Sequence, residues 1–317
     1  MFVATVDTIA HGLTAEEREK YAKDGFFIRS DAFDTYEIDA LRDRIEDLVE
    51  FIETSDVLTE KEKQAILKRN AGTDATSGPA SLNGITRLHR FSALVRSHIR
   101  DPRRLDAVTE IVGSDLFCPN DLYFFKPPGT GRPIAWHQDS WYFRNIYVSS
   151  VGDAIDQSTI GTWLALDDAD EENGCLWVIP GSHRLGVIDH SQVESDDYLL
   201  QKRVTVSDEM EEQAMPVEVP KGALVFFNNA LLHRSTPNRS DRFRRAYIVH
   251  YMKATIQHTG NRPRIPEGTE HWGTPEMYIC GQQLPECVQT TFEKDSMDWD
   301  RALGRTLTED DIRISEP

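Results

Sequence analysis

Three side chains in this sequence are of types and spacing that could hold a metal ion with room left for chemistry: His137, Asp139 and His233. The first two stand in Ala135-Trp136-His137-Gln138-Asp139-Ser140-Trp141-Tyr142-Phe143. If this stretch is a strand, alternate side chains share a face, so His137 and Asp139 point one way and Gln138 the other. An imidazole and a carboxylate placed so give a metal two adjacent ligands and leave its other positions open. The best third ligand is His233, in Leu231-Leu232-His233-Arg234-Ser235. Two histidines and one carboxylate with open positions form the facial triad associated with non-haem Fe(II) oxygenases. The same ligand types also serve a Zn²⁺ hydrolase.

Arg244 separates these readings. His233 follows the apolar strand Leu224-Val225-Phe226-Phe227 and precedes a Pro-Asn turn, and Arg244 opens the strand Arg245-Ala246-Tyr247-Ile248-Val249 eleven residues later. A strand, turn and strand of that length returns the chain beside itself and brings the guanidinium near the metal. Its rigid fork of donors suits a carboxylate, which a dicarboxylate cosubstrate requires and a hydrolase leaves unexplained. Adjacent strand residues face opposite sides, so only one of Arg244 and the competing Arg245 can serve.

The elements that must position these groups are legible in outline. Residues 13–23 read as a helix with Thr14 as N-cap and Glu17 as capping-box partner, ended by Gly25. Phe26-Phe27-Ile28 follows as a strand, and Tyr36 to Glu53 carries apolar residues at helical spacing, as does Arg87 to Val112. The polar stretch Ser55 to Arg69 is a helix or surface loop. Asn70 to Asn83, rich in Gly, Ser, Thr and Ala, is the best flexible-loop candidate, serving as lid or as plain linker. From Leu116 to Lys126 the pattern alternates, with Asn120, Leu122, Phe124 and Lys126 on one face and Asp121, Tyr123 and Phe125 on the other. Further strands are expected at Thr159–Leu166, Leu176–Ile179, Ala223–Asn228 and Ala246–Met252. A helical first third followed by many short strands predicts a mainly β fold with supporting helices, a sandwich or jelly roll. A single domain is expected, with a helical part at 1–112, a jelly-roll core at 113–255 and an irregular tail at 256–317.

Composition narrows the partners. The chain has 317 residues, 39% hydrophobic and 28% charged, as in a soluble globular protein. A formal net charge of −18 argues against nucleic acid and anionic membrane, which bind basic surfaces. It leans slightly towards a neutral or cationic small molecule over a CoA ester. No apolar run reaches the ~18 residues of a membrane span. The start, Met1-Phe2-Val3-Ala4-Thr5-Val6-Asp7, lacks a signal-peptide pattern. Cys118, Cys175, Cys280 and Cys287 are scattered with no CxxC pair, as in a reduced, cytoplasmic protein.

Several motifs together, and in one order, resemble the phytanoyl-CoA dioxygenase family of Fe(II)/2-oxoglutarate oxygenases. They are His137-Gln138-Asp139, Trp163-Leu164-Ala165-Leu166, Glu172-Asn173-Gly174-Cys175-Leu176-Trp177-Val178-Ile179-Pro180-Gly181-Ser182-His183, His233-Arg234-Ser235-Thr236-Pro237-Asn238-Arg239-Ser240, and Arg244. The resemblance covers about residues 20–255 and implies a double-stranded β-helix (jelly roll, cupin-like). By position, His137, Asp139 and His233 would hold Fe(II), and Arg244 would pair with the distal carboxylate of 2-oxoglutarate, helped by the Ser235 hydroxyl. Trp163 matches the family tryptophan near the cosubstrate, although ordinary core packing explains it equally well. Asn120, Leu122 and Lys126 hold positions that in relatives touch the keto acid. The family chemistry consumes O2, releases succinate and CO2, and oxidises a C–H bond, with hydroxylation as the default. Desaturation, epoxidation and cyclisation differ only in where the substrate is held. Related halogenases lack the carboxylate, so the presence of Asp139 argues against halogenation. Trp141, Phe143 and Arg144 directly follow the metal motif and are candidate substrate contacts by proximity.

The rival from another class is a non-catalytic jelly-roll protein that binds a ligand or metal; it has no need of all three ligands and Arg244. His183 lies on a turn and is expected to hydrogen-bond within its loop. His250, on an apolar strand, reads as a core histidine. The acidic run Asp167, Asp168, Asp170, Glu171 and Glu172 lacks EF-hand spacing and reads as a solvated loop.

Overall fold

The computed structural model describes residues 11–54, 56, 63, 67–69, 82–86, 88–90, 92–129, 131–144, 147–149, 155–192, 202–253, 256–258 and 277–280. The expected loop at Asn70–Asn83 lies outside these residues except for its last two, and most of Ser55–Arg69 lies outside them as well.

The strands, in chain order, are β1 (Phe26–Arg29), β2 (Leu67–Arg69), β3 (Leu82–Thr86), β4 (Leu116–Lys126), β5 (Ile134–His137), β6 (Tyr147–Ser149), β7 (Thr159–Ala165) and β8 (Leu176–Val178). They continue as β9 (Ser191–Gln192), β10 (Lys202–Arg203), β11 (Met215–Val217), β12 (Leu224–Asn228), β13 (His233–Ser235), β14 (Arg244–Lys253), β15 (Ile256–His258) and β16 (Met277–Cys280). A large antiparallel sheet runs β1-β12-β7-β14-β4-β3-β2, with β16 also on β4, and a smaller sheet runs β11-β8-β13-β5. The two sheets face each other as a jelly roll. β15 and β16 form strands in a region that the sequence reads as irregular.

The central strands β7 and β12 are buried on both faces, and the alternation along β4 shows which residues go where. Tyr123 and Phe125 join Tyr247, Val249, Leu164 and Phe226 in a core under the helices. Three helices cover that side: Thr35–Thr54, Ala93–Ile99 and Pro102–Val112. The first presents Ile38, Leu41, Ile45, Leu48, Val49 and Ile52 as one buried stripe. At about 1.5–3 kcal/mol per buried aliphatic side chain, this stripe alone contributes on the order of 10 kcal/mol to docking the helix. The stretch read as helical from Arg87 to Val112 is broken where Asp101 caps a new helix with Pro102 in its first turn. On the opposite face, Trp163, Ala165, Val225, Phe227 and Ala246 meet Val178, Val217 and Cys175 between the sheets.

Helix Ala15–Asp24 has the reciprocal Thr14–Glu17 capping box, and Gly25 ends it at φ +85°. There the Gly25 N–H donates to Tyr21 O at 2.9 Å, and its own carbonyl accepts from Asn228 N at 2.8 Å, tying the helix to the end of β12. A register shift between His250 and Met252 marks a bulge in the β14–β4 pairing. Bulges re-aim side chains, and here Phe117 and Met252 join Phe143 and Ile256 in a separate apolar cluster.

Candidate metal and cosubstrate site

His137 and His233 face each other across the small sheet as register partners of β5 and β13. Strand β5 ends at His137, however, and Asp139 is the first residue of a short helix, Asp139–Phe143. The expected strand through residue 143 is therefore a strand, one extended residue (Gln138, φ −129°, ψ 130°) and a helical turn. The carboxylate still converges on the imidazoles: its oxygens lie 3.7 Å from His137 Nε2 and 3.6 Å from His233 Nε2. Ligand atoms of all three residues lie within 4.8 Å of one another, a spacing that fits a single metal ion.

Both histidines are set for Nε2 ligation. Their Nδ1 atoms sit 2.8 Å from Ala135 O and 2.9 Å from Leu231 O, so each donates Nδ1–H to a backbone carbonyl and leaves the Nε2 lone pair bare. That is the outer-shell arrangement that fixes metal-ligating histidines. Burial, with His233 beside it, lowers the His137 pKa to about 3, so the imidazole is neutral and available. Burial pushes the Asp139 carboxyl up, but His233, His250 and His137 outweigh it and hold it below its ordinary value.

Gln138 points away, as alternation predicts, and its role is now visible. Its Nε2 donates to Gly186 O (2.8 Å) and Ala230 O (2.6 Å), and its Oε1 accepts from Ile188 N (2.7 Å). Its backbone N–H donates to His190 Nε2 at 3.0 Å. One amide thus pins the loop before His233 and the loop after residue 185 around the metal ligands.

Arg244 is 1% exposed, and its Nε donates to Gly174 O at 3.1 Å. No carboxylate among the described residues lies within ion-pair distance of it, and burial lowers its pKa to about 10. Its guanidinium carbon sits 5.9 Å from the Trp163 ring centre. Ser235 Oγ, on the strand that carries His233, is buried without a hydrogen-bond partner. Among the described residues the Arg244 guanidinium lacks a carboxylate and the Ser235 hydroxyl lacks a partner, and both are groups that a bound anion would satisfy. Arg245, on the other face, pairs with Asp167 (2.7 Å) and Glu46 (2.6 Å), as the alternation requires.

The remaining candidates fall into two groups. Asn120 and Leu122 are half-buried on the inner face, opposite His250 and Ile248, and Ile248 in turn pairs with Trp163. Lys126 lies opposite Arg244, fully buried, with Nζ donating to Arg132 O (2.7 Å) and Thr236 O (2.6 Å). Burial and Arg244 together push its pKa well down. Its Nζ hydrogens hold the chain beside Ser235. After the metal motif, Phe143 packs 5.2 Å from the His250 ring, while Trp141 stacks on His190 at 4.7 Å. Arg144 lies over Trp141 and pairs with Asp189 at 2.7 Å towards the surface.

His250 is the residue that sequence reasoning misplaced: its Nε2 is 3.8 Å from Asp139 Oδ2, inside the site. A second group, His89, Cys118 and Asp121, also has metal-compatible types. His89 Nδ1 and Asp121 Oδ1 are hydrogen-bonded to each other, and Asp121 Oδ2 accepts from Tyr247 OH (3.0 Å) and His89 N (3.2 Å). That network lies on the helix side of the sheet. His183 packs against Gly25, where a Cβ would meet its ring.

The family model for phytanoyl-CoA dioxygenase (PhyH) matches residues 21–246. Phytanoyl-CoA dioxygenase domain-containing protein 1 of Danio rerio is 26% identical over 272 residues, spanning 76% of this chain and 91% of that protein. Among solved structures, the non-haem monooxygenase ThoJ superposes with a TM-score of 0.60 at 20% identity, over 90% of this chain and 98% of that one. EctD from S. alaskensis, solved with 2-oxoglutarate and 5-hydroxyectoine, gives a TM-score of 0.57 at 19% identity, over 78% and 81%.

Proposed function

The chain belongs to the phytanoyl-CoA dioxygenase family, and from that premise we propose that it is an Fe(II)/2-oxoglutarate-dependent dioxygenase that hydroxylates a C–H bond of a small organic molecule. The observation that carries this reading is the pairing of two incomplete sites in one interior. Three side chains of metal-ligand type converge, and among the described residues the buried Arg244 has no carboxylate and the Ser235 hydroxyl no partner. A metal-only protein has no use for the second site.

His137, Asp139 and His233 would hold the iron through Nε2, one carboxylate oxygen and Nε2. Bound Fe(II), with 2-oxoglutarate and O2, supplies the oxidant for C–H cleavage, and the keto acid leaves as succinate and CO2. Arg244 and Ser235 would receive the distal carboxylate, repaying the cost of a buried guanidinium. Trp163 walls that end, and Asn120 and Leu122 line the same face. Phe143 and Phe227 exclude water on the side away from Arg244, with Trp141 and Arg144 nearer the rim as substrate contacts. Lys126 holds the backbone around Ser235.

The rest of the reading is a single catalytic domain in the cytoplasm acting on a small molecule and not on nucleic acid. It is supported by the net charge of −18, by Cys118 and Cys175 lying buried outside any disulfide, and by the finding that no helix among the described residues is long and apolar enough to cross a membrane. The test is turnover: purified protein with Fe(II) and 2-oxoglutarate, offered a panel of small molecules, should release succinate in step with an oxygenated product. Zn²⁺ or Mn²⁺ in place of Fe(II) should give none. Absence of succinate with any substrate, in a folded and iron-loaded protein, overturns the proposal.

A further inference from the structure

Asp139 raises a problem that its two partner histidines do not solve. Among the described residues no N–H or O–H is in hydrogen-bonding distance of its carboxylate; its near neighbours are His137, His233 and His250. A metal-ligating carboxylate uses one oxygen, and its other oxygen ordinarily takes a hydrogen bond that fixes its orientation. His137 and His233 donate Nδ1–H to carbonyls and turn their Nε2 lone pairs to the metal, so neither has a proton to give. His250 is the remaining group.

We propose that His250 is a positioning residue that donates Nε2–H to the non-ligating oxygen of Asp139, with Asn229 holding its ring. The inference rests on the iron reading above. His250 is 5% exposed, and its Nε2 is 3.8 Å from Asp139 Oδ2, so a side-chain rotation of about 1 Å brings the pair to hydrogen-bond length. Its Nδ1 lies 3.3 Å from the side-chain amide of Asn229. With Nδ1–H directed at the amide oxygen, the bare Nε2 would face a carboxylate, and Asn229 Nδ2 would stay buried with no partner. Turning the amide by half a rotation, a change that leaves the heavy-atom outline intact, gives Nδ2 a partner and places the less demanding oxygen acceptor where Nδ2 stood. Asn229 Nδ2–H then donates to Nδ1, and Nε2–H faces Asp139. The Asn229 backbone carbonyl also accepts from Ser140 N at 2.9 Å, so one residue braces both the start of the helix carrying Asp139 and the ring beside it. Phe143 and Phe227, with ring centres 5.2 and 6.4 Å from His250, pack around the imidazole.

The experiment is anaerobic Fe(II) titration of the apoprotein, with the Co(II) visible spectrum as a second readout, on wild type, His250→Gln, His250→Leu and Asn229→Ala. Gln keeps an N–H donor, whereas Leu fills similar space without one. His250→Leu should weaken metal binding by about 10–100-fold and change the Co(II) band pattern, and His250→Gln should restore both to within about threefold. Asn229→Ala should fall between them. Wild-type affinity in the Leu variant, or equal losses in Leu and Gln, would overturn the proposal. If the Leu variant does not fold, unchanged affinity and spectrum in Asn229→Ala would overturn it alone. No metal binding by the wild type would instead sink the iron reading and this inference with it.

Discussion

Gly174 ties together the segment proposed to hold the cosubstrate, and replacing it with alanine should damage stability and cosubstrate binding at once. Its φ is +87°, where a non-glycine residue costs about 1–3 kcal/mol. A Cβ there would stand 2.5 Å from Thr236 O and 3.0 Å from Lys126 Cδ. Ordinary contact begins at 3.4 Å, so the carbonyl must retreat by about 0.9 Å. That carbonyl accepts from the buried Lys126 Nζ at 2.6 Å, and leaving a buried polar group without its hydrogen bond costs about 1–3 kcal/mol. Together these give a loss of roughly 3–5 kcal/mol, or a fall in Tm of about 5–8 °C for a chain of 317 residues. The displaced segment adjoins Ser235, and the Gly174 carbonyl itself holds Arg244 Nε at 3.1 Å. The KM for 2-oxoglutarate should therefore rise at least about tenfold, a loss of ~1.4 kcal/mol, while Fe(II) affinity changes little. Thermal unfolding and 2-oxoglutarate titration of Gly174→Ala check this. A Tm within about 2 °C of wild type would refute the steric argument, and a lowered Tm with unchanged KM would refute the coupling to Arg244.

Three other outcomes follow from the same geometry. Ser235→Ala removes a hydroxyl with no protein partner, so apoprotein stability should hold or rise while 2-oxoglutarate binding weakens by about 1 kcal/mol, roughly fivefold; isothermal titration and urea unfolding separate the two. His137 and His98 are both lowered to about 3 from 6.5 by burial, so below pH 6.5 the unfolded chain takes up protons that the folded one refuses. The apoprotein should accordingly lose stability from pH 6.5 towards 5, by up to about 1.4 kcal/mol per pH unit for each group, and urea midpoints that rise over that window would contradict it. Asp121→Ala strands the donors of His89 and Tyr247, so it should destabilise by about 3 kcal/mol or more without altering iron stoichiometry by metal analysis.

The order of motifs made most of the fold readable, because alternation along β4 and the apolar strands around His233 depend on residue type alone. The candidate metal ligands were legible for the same reason: a histidine and a carboxylate two apart, with a distant histidine before an arginine, form a pattern of type and spacing. What escaped the sequence depends on three-dimensional register. His250 sits among Tyr247, Val249, Tyr251 and Met252, so a one-dimensional reading assigns it to the core. Only its pairing opposite Asn120 and Gly161 brings it to Asp139. The helix at Asp139–Phe143 was hidden because its aromatic run suits a strand equally well, and its single turn is set by contacts such as Ser140 N to Asn229 O. Gln138 read as a residue pointing away. Its work as a clamp on two loops required knowing that residues 186–190 and 230 lie beneath it.

The most direct test of the central claim is anaerobic addition of Fe(II) and 2-oxoglutarate to the apoprotein, followed by visible absorption. The account predicts the weak charge-transfer band of an iron-bound keto acid in the wild type, its absence in His137→Ala, and its appearance only at raised 2-oxoglutarate in Arg244→Ala. A folded, iron-loaded wild type that shows no band at saturating 2-oxoglutarate would contradict the account and favour a jelly-roll protein that binds a ligand or metal without turning it over.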